Sequence, residues 1–241
     1  MASAQPPAGL TISIQEHEHT RLNADNSITR FDPRGQVVVK NNSRKHAVWD
    51  AELELNRQNR TTLGTDMLDI GRLDPLGEWE KDFIIKEVDS PMLLLTEAID
   101  TYHERVGTNN ALVFEYVMPV EISITLRNHS GATIRDIVVK KQIPPLFKNI
   151  QLQKTQIGKA EYHSRDGEVI WTIKELPPER MAVQRIRSTI TAEDTEIKKG
   201  GSVKATYKID DVIRSTLVPT IHGSFSEISH LTVNCKTLTE R

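Results

Sequence analysis

Alternation of apolar and polar residues is the dominant pattern in this chain, and it is clearest in residues 114–126. Every second residue there is apolar, from Phe114 to Leu126, and the intervening positions are mostly charged or hydroxylic. This period of two is typical of a long, half-buried β-strand. A polar turn follows at residues 128–131, and a second apolar run at residues 134–139 leads to two prolines, which cannot donate to a ladder. The pattern predicts two consecutive strands joined by a turn.

An earlier stretch, residues 35–56, shows the same order of features. Asn42 lies eight residues before Asp50 there, and Asn128 lies eight residues before Asp136 in the later stretch. The likeness continues downstream in two further segments, each of which leads into an alternating strand: residues 68–78 and 171–179. An internal repeat of this kind indicates two similar units in tandem. The second copy is longer, mostly at residues 144–167, as expected of an insertion in a connection.

The other segments complete an all-β prediction. Residues 10–15 alternate as a first strand, and short strands separated by turns recur towards the end of the chain. The predicted fold class is all-β, with two tandem immunoglobulin-like antiparallel β-sandwich domains. Trp49 and Phe83 are expected in the interior of the first domain. The predicted divisions are a disordered N-terminus, a first sandwich and a second sandwich, at residues 1–9, 10–106 and 107–241.

Residues 91–106 are ambiguous, because their apolar positions fit helical spacing as well as a strand. We expect a strand to Thr96, followed by a helical turn or a short linker helix. Such a helix would place Asp100, His103 and Glu104 on one face as an acid–base group, although they also fit the solvated side of a linker.

Composition excludes several classes of protein. The apolar content is 37%, and no apolar run is long enough to span a membrane. The formal net charge is −2 with acids and bases interspersed, so no electrostatic footprint for nucleic acid is visible. The single cysteine, Cys235, is expected to be a small buried hydrophobe, and its solitude fits a reducing compartment. We expect a cytoplasmic protein, or a cell-surface one if a leader was removed.

Four motifs form a recognisable series within residues 115–192. They are an Asn-x-Ser-Gly turn, a strand that ends in Pro-Pro, a Gly-x-Val-x-Trp-x-Ile run and a Leu-Pro-Pro-Glu turn, at residues 128–131, 143–145, 167–173 and 176–179. In this series the second unit resembles the conserved-repeat immunoglobulin-like β-sandwich domains of archaeal and bacterial proteins. The first unit matches weakly and lacks the Trp motif. The resemblance implies a sandwich used as a spacer or adhesion module of surface or secreted proteins.

A fainter resemblance rests on residues 169–174, Val-Ile-Trp-Thr-Ile-Lys. This segment is similar to part of the elongated two-part sandwiches of trafficking adaptors. Trp171 shares a strand face with Ile173 and is expected in the core, although an exposed aromatic at this position could stack on a ligand.

Candidate chemical groups are few. His17 and His19 lie two residues apart on a predicted strand, hence on one face, and Glu16 or Glu18 could join them as metal ligands. Because no third ligand can be named, we prefer the alternative that these histidines belong to a solvated face. The sequence has no phosphate-binding loop, nucleophile motif or paired-cysteine spacing. We therefore assign no catalytic, cofactor-binding or metal-binding residue, and we expect the chain not to be an enzyme.

The leading hypothesis is a non-catalytic protein-protein interaction or scaffold/adaptor module, which contacts a protein partner or a second copy of itself. The predicted contact surface is the insertion at residues 144–167, because the first unit lacks it and it carries four apolar residues: Leu146, Phe147, Ile150 and Leu152. The insertion could instead be an extra hairpin packed on its own domain. No nucleic-acid, membrane or small-molecule partner is predicted. Alternative functions are a cell-envelope structural or adhesion repeat protein, and a carbohydrate- or metal-binding domain.

Overall fold

The computed structural model describes residues 9–56, 58–101, 117–191, 201–210, 214–224 and 228–240. Within these ranges the regular structure consists of strands and one 3-10 helix (Gln58–Arg60), with no α-helix. The strands are β1 (Leu10–Leu22), β2 (Ile28–Asn41), β3 (Val48–Asn56), β4 (Met67–Leu73), β5 (Glu78–Ile84), β6 (Leu93–Thr101), β7 (Val117–Asn128), β8 (Ile134–Gln142), β9 (Lys148–Leu152), β10 (Lys159–His163), β11 (Glu168–Leu176), β12 (Met181–Thr191), β13 (Val203–Asp210), β14 (Val218–Ser224) and β15 (Ile228–Glu240).

The alternating sequence pattern produces these strands. In β7, Val120, Ile122, Ile124 and Leu126 are buried, and the residues between them are partly exposed. A turn then leads into β8, so the prediction of strand, turn and strand is confirmed. Because a slip of one residue would turn these apolar side chains towards water, burial of one face fixes the register of the strand.

The chain forms two compact units that alternate along the sequence. Unit 1 comprises Met1–Glu18, Asp32–Ser90 and Ile209–Thr237, and unit 2 comprises His19–Phe31, Pro91–Lys208 and Leu238–Arg241. The prediction of an all-β fold with antiparallel strand pairs is confirmed. Two immunoglobulin-like domains in tandem are not confirmed, because each unit collects strands from separated parts of the chain. The predicted boundary between residues 106 and 107 lies outside the described residues, as do residues 1–8.

Unit 2 contains two groups of neighbouring strands, in the orders β6-β7-β12-β9 and β10-β11-β8-β13. Trp171 of β11 is fully buried, and its indole N–H donates to the carbonyl of Ile157 at 3.0 Å. The prediction that Trp171 belongs to the core is therefore confirmed. Gly158 passes so close to β11 that a Cβ would lie 2.3 Å from the carbonyl oxygen of Thr172, and its φ is +83°. Only glycine fits this position without strain.

The insertion at residues 144–167 contributes one strand to each group. β9 pairs with β12, and β10 pairs with β11. The insertion therefore packs on its own domain, as the alternative interpretation expected. It is not a hairpin, because β9 and β10 pair with different strands.

Residues 93–101 are one strand rather than a strand followed by a helix. β6 pairs with β7 from Leu93 to Thr101, so the predicted helical turn after Thr96 is wrong as far as Thr101. The long ladder with β7 supplies hydrogen bonds that outweigh the helical spacing of a few apolar residues. Asp100 lies in β6, whereas the predicted partners His103 and Glu104 lie outside the described residues.

The outer edge of β6 is covered at Glu97 by a side chain. Asn26, in the turn between β1 and β2, donates from Nδ2 to the carbonyl of Glu97 at 3.0 Å and accepts from the N–H of Glu97 at 2.8 Å. Asn26 has a φ of +66°, a conformation that asparagine tolerates better than most residues. Its amide group therefore acts as a one-residue substitute for a neighbouring strand.

Unit 1 contains the orders β14-β3-β4 and β1-β2-β5. Phe83 is buried as predicted, and its ring lies over Gly35 of β2, where a Cβ would come within 2.1 Å. The prediction that Trp49 is interior is wrong, because its side chain is 51% exposed. An extra residue in β3 next to Asp50, whose φ is +50°, turns Trp49 outward. The apolar core of unit 1 consists of Leu10, Ile12, Ile14, Val37, Val39, Val48, Ala51, Leu53, Leu55, Leu68, Leu73, Phe83, Ile85, Leu217 and Ile221.

A buried asparagine organises the turn after β2. Asn41 Nδ2 donates to the carbonyl oxygens of His46, Leu73 and Asp74 at 2.9, 3.2 and 3.1 Å, and Asn41 Oδ1 accepts from the N–H of Ser43 at 3.0 Å. One side chain thereby ties the end of β2 to the loop that follows it and to the end of β4.

Asn128 does the same after β7 in unit 2. Its Nδ2 donates to the carbonyl oxygens of Ala132 and Leu176, both at 2.8 Å, and its Oδ1 accepts from the N–H of Ser130 at 2.8 Å. We call these two arrangements the Asn41 turn and the Asn128 turn. The partner of Asn128 is Asn41 and not Asn42, so the sequence alignment of the two stretches was shifted by one residue at this point.

The equivalence extends beyond the two turns. Asp50 and Asp136 share a φ of +50°, and Leu76 and Glu179 share φ values near +60°, at +58° and +55°. The pairs β2–β5 and β3–β4 of unit 1 therefore correspond to β7–β12 and β8–β11 of unit 2. Counting residues from these shared positions gives the equivalent residue in the second unit for most outward-facing residues of the first.

Candidate functional site

The four predicted contact residues lie around β9, and they differ in exposure. Phe147 is 4% exposed and belongs to the interior of unit 2, whereas Leu146, Ile150 and Leu152 are half-buried. Leu152 is opposite Ile186 in the ladder between β9 and β12. Whether these residues contact a partner stays a prediction.

A cleft opens immediately after Leu152, where the chain leaves the sheet. Its volume is about 210 Å³, and one wall comes from the insertion while the other comes from the start of β12. This volume is below the range of small-molecule sites, about 300–1,000 Å³, and suits one or two side chains. Its lining residues are Gln153, Lys154, Gln156, Ile157, Met181, Ala182, Val183 and Arg185.

The cleft lies beside an open strand edge. β9 pairs with β12 only as far as Leu152, and the next N–H, that of Gln153, donates to the carbonyl of Arg185 at 3.0 Å. Backbone groups alternate in direction along an antiparallel strand, so the N–H and C=O groups of Val183 and Met181 point the same way as those of Arg185. Within the described residues no strand pairs with this side of β12 between Met181 and Val183.

Side chains in and beside residues 153–157, the segment that follows β9, keep this edge of β12 unpaired. The hydroxyl of Thr155 lies between the carbonyl oxygens of Ile157 and Val183, at 2.9 and 3.2 Å, and Gln184 Nε2 donates to the carbonyl of Gln153 at 3.0 Å. These bonds fix the path of residues 153–157 away from β12. The cleft is therefore built into the fold.

The rim of the cleft combines apolar and basic groups. Met181 is 57% exposed and Ile157 is half-buried, so two apolar side chains flank the opening. Arg185 lies 3.5 Å from the carboxylate of Glu121, and Lys154 has no ion pair among the described residues. The arrangement can accept an apolar side chain together with a carboxylate. Sequence analysis located the insertion but missed Met181, whose place in an alternating strand gave no sign of the cleft.

His17 and His19 lie on one side of β1, and the neighbouring carboxylates lie on the other. His17 is exposed and His19 is half-buried, which matches the solvated-face interpretation. Glu16 and Glu18 point to the other side of β1 and are buried. Glu16 accepts from the N–H groups of Arg214 and Ser215, at 2.6 and 2.9 Å, and Arg214 Nε lies 2.5 Å from Glu18. These carboxylates anchor a turn of unit 1.

The described residues contain no group of three His, Cys, Asp or Glu side chains that could hold a metal ion. Cys235 lies in β15, and the predicted burial of its side chain lies outside what the structure describes. None of the helical structure in the described ranges is long and apolar enough to cross a membrane.

Solved structures share this fold over nearly the whole chain. The yeast delta-COP-I mu-homology domain matches with a TM-score of 0.64 at 13% identity, covering 96% of this chain and 95% of that one. The same yeast domain complexed with a Dsl1 WxWxV peptide has a TM-score of 0.61 at 13% identity, with the same coverage. The Fcho1 mu-homology domain of Danio rerio with bound Eps15 peptide has a TM-score of 0.62 at 12% identity and covers 99% of both chains. The fold of this chain is therefore that of a mu-homology domain.

Neither family models nor curated proteins match the sequence. The resemblance to archaeal and bacterial repeat domains accordingly has no support from a family model. The fainter resemblance, to the two-part sandwiches of trafficking adaptors, agrees with the fold of the matching structures.

Proposed function

We propose that this chain is a non-catalytic adaptor module of the cytoplasm that binds short extended segments of partner proteins. The observation that carries the proposal is the cleft beside the open edge of β12, in a fold that two solved structures show with a peptide bound. The partner is a protein segment, and neither a cofactor nor a small-molecule substrate takes part.

Binding would proceed by strand addition. An incoming segment continues the line of β9 and pairs with the backbone of β12 at Val183 and Met181, where the N–H groups point into the cleft. Main-chain hydrogen bonds of this kind give affinity without sequence preference, and the pockets beside the strand give specificity. The half-buried Leu146, Ile150 and Leu152 extend the contact surface along β9, and Phe147 anchors them to the core.

The rim sets the preferred side chains of the ligand. An apolar side chain enters between Met181 and Ile157, and an acidic side chain reaches Lys154. At the position in unit 1 equivalent to Met181 stands Glu78, which is exposed. Because that carboxylate would repel an apolar and acidic ligand, the cleft is specific to unit 2.

A selection from a random peptide library on the immobilised intact chain tests the proposal. We expect peptides that share an apolar residue near an acidic one. Met181→Glu, which places the residue of unit 1 in the cleft, should weaken their binding at least tenfold, because burial of a methionine side chain is worth about 1.5–3 kcal/mol. The matched control is Leu76→Asp, since Leu76 is equally exposed, at 56%, in a turn of unit 1.

Strand addition itself is tested by proline. Val183→Pro removes only the N–H that points into the cleft, so binding should fall while the midpoint of unfolding changes little. Ala182→Pro removes an N–H that points towards β7 and should destabilise the fold, which makes it the positive control for damage. Selected peptides that bind Met181→Glu and Val183→Pro as well as the native chain would overturn the proposal.

A further inference from the structure

The outward face of β3 and β4 in unit 1 displays an aromatic residue that the fold does not use. Trp49 is 51% exposed, and the guanidinium of Arg72 lies 4.4 Å from the centre of its ring. Arg72 is held in place by Asp74, with both Nε and a terminal nitrogen 2.7 Å from the carboxylate. Because Arg72 covers one face of the indole, the exposed half of Trp49 is its other face and its edge.

Unit 2 shows that this architecture does not require an exposed tryptophan. Trp49 precedes Asp50 and Arg72 precedes Leu73, and the equivalent positions beside the Asn128 turn hold Arg135 and Glu175. There the two side chains form an ordinary ion pair at 3.4 Å. Large exposed aromatic groups are typical of binding surfaces, where they supply most of the energy of a contact.

An acidic pair lies one outward position further along the same strands. Glu52 and Asp69 are directly opposite each other in the ladder between β3 and β4, and both are exposed. Like charges opposite each other destabilise a sheet. Neither carboxylate has an ion pair among the described side chains. The equivalent pair in unit 2 is Val138 and Thr172, which carries no charge.

We propose that Trp49, Glu52, Asp69 and Arg72, here called the Trp49 surface, bind a basic extended segment of a partner protein. One arginine stacks on the open face of Trp49, since a guanidinium is attracted by the indole ring. A second basic residue, two positions along, lies about 7 Å away and reaches the two carboxylates. The carboxylates repel an acidic ligand, so this surface and the cleft of unit 2 select ligands of opposite charge.

The test measures binding to the intact chain of two synthetic peptides, an extended Arg-x-Arg peptide and the same peptide with Glu in place of Arg. The readout is the ¹H–¹⁵N spectrum of the indole groups, in which Trp49→Phe identifies the signal of Trp49. The basic peptide should shift the Trp49 signal and leave the signal of the buried Trp171 in place. Its affinity should fall as salt is added, and the acidic peptide should cause no shift.

The matched variant transfers the four residues of unit 2 into unit 1: Trp49→Arg, Glu52→Val, Asp69→Thr and Arg72→Glu. It should fold and bind the basic peptide at least tenfold more weakly. Met181→Glu should bind it like the native chain, which separates this surface from the cleft. Equal affinity for both peptides, no shift of Trp49 at millimolar peptide, or undiminished binding by the fourfold variant would overturn the proposal. Concentration-dependent self-association that Trp49→Ala abolishes would instead assign the surface to a second copy of the chain.

Discussion

Asn41 in unit 1 and Asn128 in unit 2 close turns of the same design, yet the side chains displayed beside them differ. The buried parts agree in asparagine, backbone conformation and hydrogen-bond partners. The exposed parts hold an aromatic and acidic surface in unit 1 and an ion pair with two uncharged residues in unit 2. Positions that satisfy buried backbone groups are constrained by stability, whereas outward positions are free to acquire a binding role.

The two units also differ in how they accommodate buried charge. In unit 2, Lys141 of β8 and Glu97 of β6 approach to 2.7 Å, with side chains that are 0% and 5% exposed. Lys141 Nζ also donates to the carbonyl of Gly201 at 2.9 Å. In unit 1, the buried Glu16 accepts from backbone N–H groups, and the buried Glu18 pairs with Arg214, whose side chain is 17% exposed. The pair of Lys141 and Glu97 is the more completely buried of the two ion pairs, so removing one of its members leaves the less solvated charge.

The largest expected effect is therefore that of Lys141→Ala. Removing the ammonium leaves the carboxylate of Glu97 buried without its counter-ion, which costs about 3–5 kcal/mol of free energy of unfolding. Chemical denaturation measures this, with the fluorescence of Trp171 reporting on unit 2 in a background of Trp49→Phe and Trp79→Phe. The double variant Lys141→Met with Glu97→Leu removes both charges and should recover most of the loss. A cost below about 1 kcal/mol for Lys141→Ala would show that the pair does not stabilise unit 2.

Alanine in place of either turn asparagine should have the next largest effect. Asn128→Ala and Asn41→Ala each leave several buried backbone groups without a partner, for a cost of about 2–4 kcal/mol. Asn42→Ala is the matched control, because Asn42 makes one partly buried side-chain bond, from Nδ2 to Thr11 at 2.6 Å. It should cost less than about 1 kcal/mol. If Asn42→Ala proved as costly as Asn41→Ala, the structural equivalence of Asn41 with Asn128 would be wrong.

The smallest effect on stability is expected from the fourfold exchange at the Trp49 surface. The new Arg and Glu at positions 49 and 72 should form the exposed ion pair of unit 2, and such pairs contribute about 0–1 kcal/mol. Loss of the Glu52 and Asp69 repulsion acts in the opposite direction by a similar amount. Denaturation should thus show a change below about 1 kcal/mol while peptide binding is lost. A large loss of stability would mean that Trp49 serves the fold rather than a partner.

Local alternation was enough to predict strands such as β7 and β8, because burial of one face is encoded in every second residue, but it missed the end of β6. It also indicated the related turns, since Asn128 and Asp136 recur at nearly the same spacing as Asn41 and Asp50. The shift of one residue arose because the turn after β2 is one residue longer than the turn after β7: β3 begins at Val48, after Asn41, and β8 begins at Ile134, after Asn128. A separate irregularity, the bulge at Asp50 in β3, turns Trp49 outward and explains why its burial was predicted wrongly.

The grouping of strands into units could not be predicted in this way. Unit 1 contains segments from both ends of the chain, and pairing between such distant segments leaves no local signal. The candidate site was found in part, since the insertion at residues 144–167 supplies one wall of the cleft. The other wall of the cleft begins at Met181. The pairing of β9 with β12, which only the structure reveals, brings the two walls together.

The amide of Asn26 has a consequence for assembly. By occupying both backbone groups of Glu97, it takes one residue in the middle of the outer β6 edge out of use for pairing with another strand. Unpaired strand edges are templates on which other copies of a chain can add, and proteins commonly cover or interrupt them. Asn26 thus makes this edge of unit 2 a poorer template for self-association, while the edge of β12 stays available for a ligand.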